Sequence, residues 1–291
     1  MIRRLQKLLQ RSDFRRNPVR GLLKRLWWRI RWCLKDEPWL LTHSSRIKIL
    51  VPKSGSGALI YYQGYSEPEV LHFFEKFVKE NMVVMDIGAH IGEYTLLAAK
   101  IVGESGRVYA FEPDPRNYEL LKQNIRLNRM DHVVELLNYA LSNEVGNVKF
   151  VLSRELSVSR ISSASEELNI LHSESVIGVQ ATTLDAFYKE RNLTRVDVVK
   201  LDVEGAELLV LKGAGQILSQ PPNKAPVVLF EYSPSNCARF GYDSRMILEF
   251  LKSKGYKIYK LDSEGNLYEA EDIIIPFGIH CNLVGIKDEN T

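Results

Sequence analysis

The chain is poor in cysteine: Cys33, Cys237 and Cys281 are odd in number and far apart among 291 residues. That spacing excludes a disulfide framework and any CxxC zinc or redox motif, and a reducing compartment is the expectation. No apolar run approaches the ~20 residues of a membrane-spanning helix, and the amino terminus has no clean apolar segment followed by a small-residue cleavage site. With 18 Gly and 11 Pro the text is too poor in both for collagen-like or low-complexity classes. None of the six histidines falls in an HxxxH or HExxH pattern, so no metal site is expected, and no internal repeat is visible. What remains is an ordinary globular composition, 45% hydrophobic and 26% charged, long enough for one or two domains with a sizeable core. The expected location is cytoplasmic, with peripheral membrane association left open.

Charge is unevenly spread. Residues 1 to 35 hold twelve Lys or Arg against the single acid Asp13, a net +11, which leaves 27 cations and 35 acids, a net −8, for residues 36 to 291. The same arm carries Leu22, Leu23, Leu26, Trp27, Trp28, Ile30 and Trp32. Cations mixed with interfacial aromatics suit an anionic membrane surface. They also suit nucleic acid, here the less favoured partner, and a solvated helical extension whose Trp residues pack on the body is the plain alternative.

From residue 82 the pattern alternates: MVVMDIG, then helical EYTLLAAKI, then RVYAFE, then PRNYELLKQNIRLN, then VVELLN. Such alternation points to a right-handed parallel α/β sheet. Strands at 82–87, 107–112, 132–137, 196–201, 226–232, 256–261 and 280–286 give a doubly wound, Rossmann-like, seven-stranded and mostly parallel sheet, and the close succession of the last two implies an antiparallel edge strand. The expected organisation is a basic amphipathic arm (1–43), a cap (44–80) and a main domain (81–291) with a polar, Ser-rich insertion at about 142–180.

The first strand ends in Asp86-Ile87-Gly88-Ala89-His90-Ile91-Gly92, directly before a helix, and the second ends in Glu112, 26 residues after Asp86. Glycine permits a tight turn and close backbone approach, a helix amino terminus supplies free N–H groups, and an acid at the next strand's end can accept both ribose hydroxyls. This is a nucleoside-binding layout with Glu112 as the ribose clamp. It is not a dinucleotide site, because the spacing is Gly-x-x-x-Gly, an acid precedes it, and His90 stands where a close pyrophosphate favours glycine. S-adenosylmethionine fits better: it has no phosphate, Asp86 can help hold its ammonium, and the helix N–H groups can face its carboxylate.

Four pieces in order, Asp86-Ile-Gly-Ala-His-Ile-Gly-Glu-Tyr-Thr95, Phe111-Glu-Pro113, Thr183-Leu-Asp185 and Lys200-Leu-Asp-Val-Glu-Gly-Ala-Glu207, resemble the FkbM-type methyltransferases of the class I S-adenosylmethionine-dependent enzymes. The resemblance spans roughly residues 65 to 232, and His90 stands where members often have Asn. It implies an O-methyltransferase acting on a sugar hydroxyl or another small metabolite, with Asp86, Gly88, Ala89, His90, Gly92, Thr95 and Glu112 around the cofactor. Tyr139 and Ala140, after the third strand, stand where class I enzymes contact adenine, although core packing accounts for Tyr139 equally well.

Asp202 and Glu204 close the fourth strand at the carboxyl edge of the sheet, where open α/β folds bind ligands, and Glu231 ends the neighbouring fifth strand. Asp202 can orient or deprotonate an alcohol, Glu204 can act in catalysis or merely face a helix amino terminus, and Glu231 can bind substrate or share a metal ion. The Asp/Asn-Pro-Pro-aromatic tetrad of amino-nitrogen methylation is missing, which disfavours base methylation. The expected acceptor is a hydroxyl of a glycan, glycolipid or small metabolite. Two alternatives stand beside it: an RNA methyltransferase guided by the basic arm, and a non-catalytic S-adenosylmethionine-binding module. Oligomeric state is not legible.

Overall fold

The computed structural model describes residues 13–14, 17–153, 159–162, 175–270 and 275–287. Parts of the basic arm and of the Ser-rich insertion therefore lie outside the described residues. The chain divides into two compact units, Met1–Glu67 and Pro68–Thr291. The boundary thus falls inside the expected cap, and the helix Pro68–Phe77 belongs to the larger unit, where Phe73 and Phe74 are fully buried and Phe74 stacks on Tyr94.

In the smaller unit the helix Pro18–Leu34 begins with proline in its first turn, and the Asn17 side chain accepts the Arg20 N–H, two features that start helices. It is followed by the antiparallel pair β1 (Trp39–Thr42) and β2 (Lys48–Val51) and by the helix Gly55–Gln63. Trp28 is the hub: its ring lies 5.4 Å from Trp32, 6.0 Å from Trp39 and 5.7 Å from Tyr61, and Lys24 donates to the carbonyls of Tyr61 and Tyr62.

The larger unit is built on an eight-stranded sheet. Its central parallel strands are β3 (Val83–Ile87), β4 (Arg107–Phe111), β5 (Val134–Leu137), β10 (Val198–Leu201) and β11 (Val227–Tyr232), joined by β12 (Tyr256–Leu261), β13 (Leu267–Glu269) and β14 (Cys281–Lys287). The spatial order is β13-β12-β14-β11-β10-β3-β4-β5. β-Branched residues buried on both faces, as in β3 and β10, are what a central parallel strand requires. The sheet is doubly wound and mostly parallel as expected, with two differences. The last strand is antiparallel but interior, inserted between β11 and β12, and the edge is taken by β13, an eighth strand. Leu283 and Val284 on β14 are fully buried, a load an edge strand cannot satisfy.

The segment 142–180 is more than an excursion. β6 (Ala140–Leu141), β7 (Gly146–Leu152), β8 (Arg160–Ile161) and β9 (Ser175–Thr182) form a separate sheet in the order β6-β9-β7-β8. Its small core of Phe150, Ile161, Val179 and Ala181 includes Ala206, so this sheet backs the loop that follows β10.

Candidate active site

Strand order brings the predicted residues to one edge. β3 lies between β10 and β4, with Lys200 in register with Asp86 and Asp86 with Ala110, so the β10 loop and Glu112 flank the glycine turn from opposite sides. β11 borders β10 and brings Glu231 to the same edge.

Gly88 and Gly92 have φ of +79° and +90°, which only glycine adopts without strain. A Cβ on Gly88 would sit 1.8 Å from the carbonyl oxygen of Asp202, and one on Gly92 would sit 2.1 Å from Leu121 Cδ1. The turn therefore presses directly against the β10 loop, and Ala89 is buried within it. The helix Glu93–Val102 starts at Gly92 with no side-chain cap, which leaves its amino-terminal N–H groups facing the turn.

Asp86 is fully buried. Its Oδ2 accepts the Thr95 hydroxyl at 2.6 Å, and its Oδ1 lies 3.4 Å from Lys200 Nζ. The same ammonium is 3.5 Å from Asp202 Oδ2 and lies over the Tyr94 ring. Lys200 thus ties two strand-end carboxylates together, and a buried ammonium requires such partners.

Glu112 is buried, with Oε2 accepting the His90 N–H at 2.7 Å and Oε1 accepting the Asp114 N–H at 2.9 Å. Burial pushes its carboxyl up to about 8 against the pull of those two bonds. The Asn117 side chain adds a further hydrogen bond to the same carboxyl. His90 itself is left-handed, φ +51°, held there by its bond to Glu112. Its Nε2 is buried with no hydrogen-bond partner, and burial pushes the ring down to about 4, with Asp202 pulling the other way.

Past β10, Glu204 also has positive φ, +56°, a strained conformation for a residue with a Cβ. Its Oε2 accepts from Asn236 Nδ2 at 3.0 Å, and the same amide nitrogen donates to Glu231 Oε2 at 3.1 Å. Asn236 stands on the helix Pro234–Arg239, begun by the Ser233 side chain, and its own Oδ1 accepts from Arg239 at 2.6 Å. The Arg239 guanidinium is 3.6 Å from Glu204. Burial, then the nearby Asp202, pushes the Glu204 carboxyl up to about 8. Beneath this loop Glu207 is buried; its Oε1 accepts the N–H groups of Val203 and Gly205, and Tyr242 donates its hydroxyl to the Gly205 carbonyl.

Two further expected cofactor residues follow β5. Tyr139 packs edge-to-face on Phe111 at 5.7 Å against the main core, and Ala140 is buried in the small sheet opposite Ala181. Sequence reasoning left out Asn236, Arg239, Tyr242 and the bracing roles of Lys200 and Glu207. Lys200 and Glu207 are in the quoted Lys-x-Asp-x-Glu-Gly-x-Glu run, whereas Asn236 and Arg239 have no signal beyond following a strand end. Among the described residues no group of three or more His, Cys, Asp or Glu is arranged to hold a metal ion.

The Glu207 carboxyl is pushed up to about 7 by burial, so the folded state binds its proton more tightly than the unfolded chain does. The stability it contributes is complete below the ordinary glutamate range near 4.5 and is lost as pH rises through about 7. Glu207→Gln keeps an acceptor for the two N–H groups and cannot ionise. Thermal melts at pH 5 and pH 8 are expected to show a smaller pH difference in this variant, by on the order of 3 kcal/mol. An unchanged difference would remove Glu207 from that role.

A doubly wound sheet with a glycine turn and uncapped helix at its first strand, an acid at its second and carboxylates at its fourth and fifth defines a class I methyltransferase layout. The Methyltransferase FkbM domain model matches residues 86–258. The chain belongs to the FkbM methyltransferase family and is an S-adenosylmethionine-dependent methyltransferase. It is similar to the hexuronic acid methyltransferase AglP of Haloferax volcanii, 29% identical over 190 residues, covering 62% of this chain and 74% of that protein. It is also similar to the 2-O-methyltransferase NoeI of Sinorhizobium fredii, 26% identical over 186 residues, covering 60% and 73%. The crystal structure of an FkbM methyltransferase from Methylobacillus flagellatus superposes with a TM-score of 0.47 at 16% identity, covering 79% of this chain and 54% of that one.

Proposed function

We propose that the protein transfers a methyl group from S-adenosylmethionine to a hydroxyl of a glycan, glycolipid or small metabolite, with Glu204 as the general base. The carrying observation is the pair of carboxylates, Glu204 and Glu231, joined by the Asn236 amide at the edge where the glycine turn ends. An alcohol needs its proton removed as it attacks, and a carboxylate whose proton affinity is raised toward neutrality is suited to take it. Burial supplies that rise at Glu204, and the strained backbone holds the side chain against Asn236 and Arg239. Glu231 shares the amide and would orient the acceptor hydroxyl. Asp202, held by Lys200, would fix the acceptor beside the donor from the other side. The names of two relatives, one for hexuronic acid and one for 2-O-methylation, support an acceptor with sugar-type hydroxyls.

The residues present fit S-adenosylmethionine. Glu112 would take the ribose hydroxyls, the uncapped N–H groups after Gly92 would take the carboxylate, and the Asp86 edge of the turn would favour the ammonium. When bound, the group supplies an electrophilic methyl on a sulfonium. The protein's own contribution is alignment of the acceptor oxygen and removal of its proton.

Glu112→Ala is expected to weaken S-adenosylmethionine binding by about 1–3 kcal/mol, the range for removing a buried hydrogen-bonding partner. Titration calorimetry measures it, and an unchanged dissociation constant would move the ribose site elsewhere. For the catalytic reading, single-turnover transfer by Glu204→Gln beside a cofactor titration is the test.

A further inference from the structure

We infer that the exposed face of the helix Pro18–Leu34 is a docking surface for an anionic lipid bilayer. This inference concerns the smaller unit and stands independently of the acceptor. At roughly 100° per residue, Val19, Leu23, Leu26, Trp27, Ile30 and Leu34 fall on one stripe, and all are exposed, Trp27 by 51% and Leu34 by 73%. The opposite face, with Gly21, Trp28 and Trp32, is buried against Trp39 and Tyr61, so the inward packing of this helix is already satisfied. The outer stripe is a second apolar face, and a groove of about 350 Å³ opens on it beside Leu23, Trp27 and Tyr61.

Charge selects the occupant. Arg20 borders the stripe on one side and Arg29 on the other, both exposed, and no acid occurs between residues 14 and 35. Lys24, by contrast, is held by the carbonyls of Tyr61 and Tyr62. An apolar stripe between two cationic borders matches the boundary between acyl chains and phosphates: aliphatic and indole groups enter the chains while guanidinium groups stay with anionic headgroups. A second copy of the chain would set the same arginines against each other with no acid on the helix to offset them. Nucleic acid would need cations at the centre of the contact, where this helix has Leu23, Leu26 and Ile30. At 17 residues, with no stretch apolar enough to cross a membrane among the described residues, the helix would lie in the plane of the interface.

The test is co-sedimentation of the full chain with vesicles of phosphatidylcholine alone or mixed with phosphatidylserine, at low and high salt. Partitioning onto the anionic vesicles is expected to exceed that onto neutral ones by about tenfold or more and to fall with salt. The double change Leu23→Glu and Trp27→Glu should lower it by about tenfold or more. The double change Arg20→Glu and Arg29→Glu should do the same, with melting temperature and S-adenosylmethionine affinity unchanged in both. Equal recovery on the two vesicle types, or unaltered partitioning of both variants, overturns the inference. It is equally overturned if the protein ignores vesicles and the Leu23/Trp27 variant converts a dimer to a monomer, or if the arginine variant abolishes RNA retention instead.

Discussion

Glu204→Gln is expected to lower single-turnover methyl transfer by about 10²–10⁴ while S-adenosylmethionine affinity stays within a few-fold. The substitution preserves side-chain size and an acceptor for Asn236, while it removes the ability to take a proton and the charge that faces Arg239. Because the reactive form is the anion and burial sets the carboxyl at about 8, the wild-type rate should climb with pH and level off above about 8. The glutamine variant should lose that inflection. Asp202→Asn separates the neighbouring role: it should raise the acceptor requirement, because Asp202 stands 3.5 Å from Lys200 beside the turn. If the large rate loss follows Asp202→Asn and spares Glu204→Gln, the base is Asp202. If neither variant changes the rate, the run from Asp202 to Glu207 is only a strand-to-helix turn.

Gly88→Ala should be among the most damaging small substitutions in the larger unit. The new methyl would sit 1.8 Å from the Asp202 carbonyl oxygen, a backbone atom with no rotamer to escape through, at a φ of +79° that an L-residue adopts only under strain. Relief requires the ends of β3 and β10 to separate, so both the glycine turn and the catalytic loop should shift together. The expected cost is on the order of 3 kcal/mol in chemical denaturation, from backbone strain and overpacking combined. Cofactor affinity should fall with it, since the His90 N–H would leave Glu112. Gly103→Ala is the control, since a Cβ there meets nothing within 4 Å and carries only the positive-φ cost.

The parts of this molecule that could be read from its sequence are those where one local rule decides. Runs such as VVMDI and RVYAF, bounded by Gly103 and Gly106 and by Pro113 and Pro115, could only be buried parallel strands between helices, and they are. The placement of β14 was not legible, because a strand's position in the sheet depends on which neighbours its two faces meet, and Leu283 and Val284 look the same at an edge or inside. The small sheet was hidden for a related reason: β7 and β9 are far apart in sequence, and their polar alternation reads as loop until the two are paired. At the site, the carboxylates were visible as strand-end acids. Their partners were not, since Asn236 reaches Glu204 across 32 residues and nothing in the text Ser-Pro-Ser-Asn marks it.

The most direct test of the central claim is transfer of an isotopically labelled methyl group from S-adenosylmethionine to extracted glycans, glycolipids and metabolites by the wild-type protein, with the product bond identified by mass spectrometry and NMR. The account predicts a labelled methyl ether on a hydroxyl oxygen, formed by the wild type and lost in Glu204→Gln. A label found on nitrogen or carbon, or tight cofactor binding with no transfer to any acceptor, would contradict it.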